Sequence, residues 1–265
     1  MFSSSRKIAI FTDVHGLLEP LEAVIDDIKR RGITEIYSLG DNIGVGPSPC
    51  EVIDMLQYYD VKSVAGNAEE YCTLGMGPYL FYSDSDKIKN QMWTKSVLGD
   101  ERLDYIKKLP HSIDLELGSK RVALCHFAND VRVDYYLNNV DKYLYNLNKF
   151  GINNPKMKGY VSFKDYPIFC GKKVDYYDAI IQGHVHRNIY ERGNDTDFYS
   201  FRAMAVHFDK DPIDMAFYVI VNECENKFGF EIEKVYVPFD REKMEYTILK
   251  SDEPTGKIKK LVRMK

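Results

Sequence analysis

The stretch RKIAIFTDVHG, residues 6–16, begins as a buried strand and ends as chemistry. Ile8, Ala9, Ile10 and Phe11 form a short apolar, β-prone run. Thr12, Asp13 and His15 then break the apolar run. So early a break argues against a secretory leader, and no other stretch is long and apolar enough to cross a bilayer.

Working outward, the same alternation recurs. EPLEAVIDDIKRRG (19–32) places Leu21, Val24, Ile25 and Ile28 at helical spacing before Gly32. EIYSLGD (35–41) is a second short strand, SPCEVIDMLQYYD (48–60) a helix with Pro49 in its first turn, and VKSVAGN (61–67) a third strand. Two helices are expected across 83–108. HSIDLEL (111–117) and KRVALCHF (120–127) then flank Gly118-Ser119 as an antiparallel hairpin. A helical stripe over 130–150 (Val133, Tyr136, Leu137, Val140, Leu144, Leu147) opens a segment, about 130–177, that would cap a site. YDAIIQGH (177–184), NIYERGNDTDFYSF (188–201), DMAFYVIVNE (214–223) and KFGFEIEKVYVPF (227–239) read as strands, and 241–249 as a last helix. The basic tail GKIKKLVRMK (256–265) reads as a solvated end. The fold class is α/β, and with no repeat or linker in view residues 1–265 read as one domain.

The informative residues stand where strands end. Asp13-Val14-His15, Gly40-Asp41, Gly66-Asn67, Cys125-His126 and Gly183-His184-Val185-His186 hold four of the chain's six histidines. In open α/β sheets, functional groups gather beyond the carboxyl ends of strands. Asp, Asn and His are the oxygen and nitrogen donors that first-row transition metals prefer. On extended backbone, i and i+2 point the same way, so Asp13 with His15, and His184 with His186, are expected to reach a common centre. The glycines would let the chain turn sharply beside them.

In this order the motifs resemble the calcineurin-like binuclear metallophosphoesterases, whose pattern is D-x-H, G-D, G-N-H-D/E, a lone His and G-H-x-H. GDNIGVGPSPCEVIDML (40–56) looks especially like the small bacterial and archaeal phosphoesterases of that superfamily. The resemblance spans about 7–190 and implies a four-layer α-β-β-α sandwich, two mixed sheets flanked by helices. It implies two divalent or trivalent transition-metal ions (Mn, Fe, Zn or Co). Asp13, His15, Asp41 and His186 would hold one ion; Asp41, Asn67, His126 and His184 would hold the other. Asp41, Asn67 and His126 would be catalytic, and a metal-bridging hydroxide would attack phosphorus directly in a phosphodiester or nucleotide anhydride.

The chain departs from the family at VAGNAEEY (64–71), where Ala68 replaces the histidine that protonates the departing oxygen. A missing acid costs about 10²–10⁴-fold in rate. Glu69 and Glu70 read as solvated carboxylates at a helix start. Arg202 and His207, with Asn67, are the candidates to face a phosphate. GDNIGVG lacks the Asp-Arg pair of the protein-phosphatase branch. The alternative is a catalytically weak scaffold that uses the fold to bind proteins.

Composition narrows the setting. A net charge of −4 gives no reason to expect nucleic acid or an anionic membrane as partner. Five scattered cysteines, none in C-x-x-C spacing, fit a reducing cytoplasm. The expected ligand is a small phosphorylated molecule such as a nucleotide, and the sequence leaves the oligomeric state open.

Overall fold

A computed structural model describes residues 6–74, 85–127, 168–169, 172–173, 176–192, 195–206, 214–225 and 229–264. The expected 130–150 helix and His207 lie outside them, as does nearly all of the expected cap.

The chain enters through β1 (Lys7–Phe11), α1 (Leu18–Arg30), β2 (Glu35–Ser38), α2 (Pro49–Tyr58) and β3 (Lys62–Ser63). These strands pair in parallel, β1 to β2 and β2 to β3, because each crossover helix returns the chain to the same end. β11 (Met215–Glu223) and β12 (Phe230–Pro238) complete the sheet antiparallel, giving the order β12-β11-β1-β2-β3.

The second sheet holds β4 (Ser112–Leu117), β5 (Lys120–Cys125), β8 (Ala179–Gln182), β9 (Ile189–Arg192) and β10 (Asp197–Ser200) in the order β4-β5-β8-β10-β9. β4 and β5 form the expected hairpin, turning where Gly118 takes φ +59. β5, β8 and β10 run parallel, so this sheet is mixed too. A separate two-stranded piece joins β6 (Ile168–Phe169) to β7 (Lys172–Lys173).

The two sheets face one another across a core. Ile8, Ile10, Leu39, Val219 and Val221 of one meet Leu117, Val122, Leu124 and Ile181 of the other. The outer face of the first sheet packs Ala9, Phe11 and Ile36 against the apolar stripes of α1 and α2. Both faces of β1 are therefore covered, as its unbroken apolar run requires. α3 (Asn67–Leu74) and α4 (Ser85–Lys107) extend this helical layer, and α4 breaks at Gly99 (φ +72), where the sequence suggested two helices. α5 (Arg241–Lys250) is capped by Asp240, whose carboxylate accepts from Lys243 N at 2.9 Å.

The tail is not a solvated end. It forms α6 (Lys257–Leu261), and Ile258 and Val262 are buried against Leu17, Ala203, Met244 and Ile248. The lysines drew attention to charge, but the apolar residues between them decide the placement.

Candidate metal centre

Five strand ends meet at one rim of the sandwich, and the backbone there is unusual. Asp13 (φ +54), His15 (+52), Asp41 (+52), His184 (+66) and His186 (+55) are all left-handed. The i, i+2 logic of an extended strand therefore fails, because β1 stops at Phe11 and β8 at Gln182. The side chains converge from tight turns instead. A left-handed residue other than glycine costs about 1–2 kcal/mol, so five amount to roughly 5–10 kcal/mol. Hydrogen bonds between the turns help hold them, such as Asp13 N to Gly40 O at 3.0 Å and His15 N to Asp41 O at 2.9 Å.

Close approach between these turns explains two of the glycines. A Cβ on Gly183 would overlap Thr12 Oγ1, and one on Gly66 would overlap the Asp41 backbone nitrogen. Neither residue shows the positive φ that sharp turning suggested; Gly66 is small because the Asp41 backbone lies against it, and Gly183 because the Thr12 and Asp13 side chains do.

The structure brings all seven sequence-chosen donors together. His186 Nε2 lies 3.0 Å from Asp13 Oδ1 and 3.1 Å from His15 Nε2. His184 Nδ1 lies 2.9 Å from Asn67 Oδ1 and 3.2 Å from His126 Nε2, which is itself 3.1 Å from Asn67 Oδ1. Asp41 Oδ2 faces His126 Nε2 at 3.5 Å. Asp13 joins both carboxylate–histidine groups, one with His15 and His186 and one with Asp41 and His126. His184 and His186 thus serve opposite halves of one cluster.

Each half is oriented from behind. His126 Nδ1 donates to the Leu39 carbonyl at 2.8 Å, which leaves Nε2 as the acceptor turned inward. Asp13 Oδ2 accepts from Thr12 Oγ1 at 2.7 Å and His184 N at 3.0 Å, leaving Oδ1 to the site. Asp41 Oδ1 accepts from Ala68 N at 2.8 Å, leaving Oδ2. Phe127 lies against the His184 ring, centroids 4.4 Å apart.

The electrostatics suit cation binding. Burial, then the charge of His186, hold His15 down at about 4; burial, then His126, hold His184 at about 3. Both imidazoles are neutral at pH 7, so a metal need displace no proton from them. His126 is raised by Asp41 and Asp13 against the opposing effect of its burial. Asp13 is depressed well below the carboxylate range by His186 although burial acts the other way. Neutral imidazoles and buried carboxylates, all nitrogen and oxygen, fit transition-metal ions.

Sequence reasoning misplaced Glu69 and Glu70. Both are buried. Glu69 Oε2 accepts from Asp41 N at 2.9 Å and Gly66 N at 2.8 Å, and Oε1 from Asn42 N at 2.8 Å. One carboxylate therefore clasps the turns that carry Asp41 and Asn67. Its bond to Gly66 is half of a capping box, so a Glu three residues beyond a helix N-cap was the available signal. Burial, then the Asp41 charge, push Glu69 up to about 7.

Ala68 is also buried, within the core cluster that includes Ile43 and Cys72. Arg202 is 2% exposed, and its guanidinium lies 5.5 Å from the Phe217 ring centroid and 5.8 Å from that of Tyr236. That places a buried cation within reach of two aromatic faces.

Comparison with known proteins agrees with this architecture. A family model described as the calcineurin-like phosphoesterase superfamily domain matches residues 7–151, more than half of the chain. The uncharacterized protein MJ0912 of Methanocaldococcus jannaschii is 30% identical over 260 residues, 93% of each chain. The hypothetical protein PH1004 of Pyrococcus horikoshii OT3 superposes with a TM-score of 0.66 at 16% identity, covering 96% of this chain and 97% of that one. A metallophosphoesterase from Sphaerobacter thermophilus gives 0.63 at 19%, covering 98% of each. At such identities the two solved structures speak to the fold.

Proposed function

Because the chain belongs to the calcineurin-like phosphoesterase superfamily, we propose that it is a binuclear metal-dependent hydrolase of phosphodiesters or nucleotide phosphoanhydrides. The observation that carries this reading is the convergence of seven donors from turns in which five donor-bearing residues accept left-handed backbone. Strain of that kind persists where a site demands the geometry.

Asp13, His15, Asp41 and His186 would hold one ion, and Asp41, Asn67, His126 and His184 the other. Bound there, two transition-metal cations would lower the pKa of a shared water and draw charge from phosphate oxygens. The chain's own contribution is orientation. Leu39 fixes the His126 tautomer, Thr12 and the His184 amide fix Asp13, and the Ala68 amide fixes Asp41. Asn67 turns Oδ1 to the two imidazoles, and its Nδ2 on the opposite side would donate to a phosphate oxygen. The setting we infer is cytoplasmic: no disulfide joins Cys50, Cys72, Cys125 and Cys224, and no described helix is long and apolar enough to cross a membrane.

The test is hydrolysis of bis-p-nitrophenyl phosphate by protein loaded with manganese, iron, zinc or cobalt. Wild type should turn over, chelation should stop it, and Asp41→Asn should fall to background. A wild type that binds two ions yet is as inert as Asp41→Asn with every metal overturns the hydrolase and leaves a protein-binding scaffold.

A further inference from the structure

His111 stands beside the cluster and is not one of its ligands. Ser112 and Cys125 are the last Cα partners of the β4–β5 ladder, and His111 and His126 each lie one residue beyond that pair. Continued one step, that register would place the two residues on one face of the sheet, with Cβ atoms about 4.5–5.5 Å apart. The adjoining backbone ties this corner to the third turn, because Ala65 N donates to the Pro110 carbonyl at 2.8 Å. His111 therefore borders the half of the site built from Asn67, His126 and His184.

A second observation concerns its orientation. His111 Nδ1 lies 3.2 Å from Glu70 Oε1; the Glu70 side chain is 8% exposed and that of His111 37%. Glu70 follows Asn67 by three residues on α3, so both rise from one face of that helix. A buried carboxylate on Nδ1 fixes the ring and directs Nε2 away from Glu70. The imidazole keeps contact with solvent.

We propose that His111, oriented by Glu70, gives its Nε2 proton to the leaving oxygen of the substrate. This rests on the hydrolase reading above. Such a step is useful because the seven converging side chains are arranged to accept cations, and Ala68 has no proton to give. Water attacks phosphorus and forms the new P–O bond. As the old P–O bond breaks, its electron pair passes to the departing oxygen, which takes the proton from His111. Solvent then returns a proton to the neutral imidazole and accepts the one released by the attacking water. His111 would be a catalytic residue and Glu70 a positioning residue. The substrates favoured are esters of ordinary alcohols, such as a ribose hydroxyl, whose alkoxides leave poorly unless protonated.

The experiment compares methyl p-nitrophenyl phosphate with methyl phenyl phosphate, which share the phosphate and differ in leaving group. Metal content of wild type, His111→Gln and Glu70→Gln is measured alongside. His111→Gln should keep two ions, lose about 10²-fold or more on the phenyl ester, and lose less than about tenfold on the p-nitrophenyl ester. Glu70→Gln should show the same selectivity in smaller measure. In nitrogen-15 spectra of the metal-free protein, the Nδ1 proton of His111 should be protected from exchange in wild type and not in Glu70→Gln. Equal losses on both esters, no loss, or an unprotected Nδ1 proton in wild type overturns the proposal while wild-type turnover still supports the hydrolase. A wild type inert on both esters overturns the two together. If His111→Gln does not fold, the leaving-group selectivity of Glu70→Gln decides.

Discussion

Replacing Glu69 with alanine should loosen two ligand-bearing turns at once. Its carboxylate accepts three backbone N–H bonds, from Asp41, Asn42 and Gly66, all in the interior. Each stranded donor costs about 1–3 kcal/mol, so the gross loss is roughly 3–9 kcal/mol. Part of it is returned, because the mutation removes a buried carboxylate that Asp41 repels. A net loss of about 3 kcal/mol is expected. Glu69→Gln keeps the volume and can offer its carbonyl to the two donors now on Oε2, which strands only the Asn42 amide at about 1–3 kcal/mol. The order of stability should be wild type, then Gln, then Ala, measured by urea denaturation of metal-free protein. Calorimetric titration with manganese should weaken in the same order, since the Asp41 and Asn67 turns lose their common tie. The reasoning is refuted if Glu69→Ala unfolds at the wild-type urea midpoint and binds two ions as tightly as wild type.

Ala68→His should not restore a missing proton donor. It places an imidazole in a core position and should cost about 1–3 kcal/mol by overpacking, read as a lower urea midpoint. Metal-free protein should lose stability on acidification. His15 and His184 sit at about 4 and about 3 when folded, below their ordinary 6.5, so the unfolded chain takes up protons first. Their contribution is complete above pH 6.5 and disappears as pH falls through 4 and then 3. Glu69 acts with the opposite sign: raised to about 7 from 4.5, its contribution is complete below pH 4.5 and lost as pH rises through 7, so Glu69→Gln should abolish that alkaline loss. Chemical denaturation from pH 3 to 8 separates the two. Finally, Ile258→Ala should cost about 2–4 kcal/mol although it lies in a basic tail, because Ile258 is 1% exposed against Leu17 and Met244; a change below about 0.5 kcal/mol in thermal unfolding would show that α6 does not contribute to the core.

The sequence alone determined the order of the first strands and helices and the set of seven donors. The reason is that both signals are local. Apolar periodicity is written within ten or so residues, and a divalent cation selects atom types that Asp, Asn and His visibly carry. Tertiary structure decided whatever depends on partners far along the chain. Glu69 looked like a solvated carboxylate until Asp41 and Asn42, 28 and 27 residues away, were seen to donate to it. The burial of Arg202 beside Phe217 and Tyr236 was not written in its own stretch of sequence. The stretch around His111 shows no partner for it in sequence, whereas the fold sets it one residue beyond the Ser112–Cys125 pair and brings Glu70 of α3 to it. Left-handed backbone at five of the donor-bearing residues was likewise invisible, because no residue's type dictates φ when neighbouring turns hold it in a strained well.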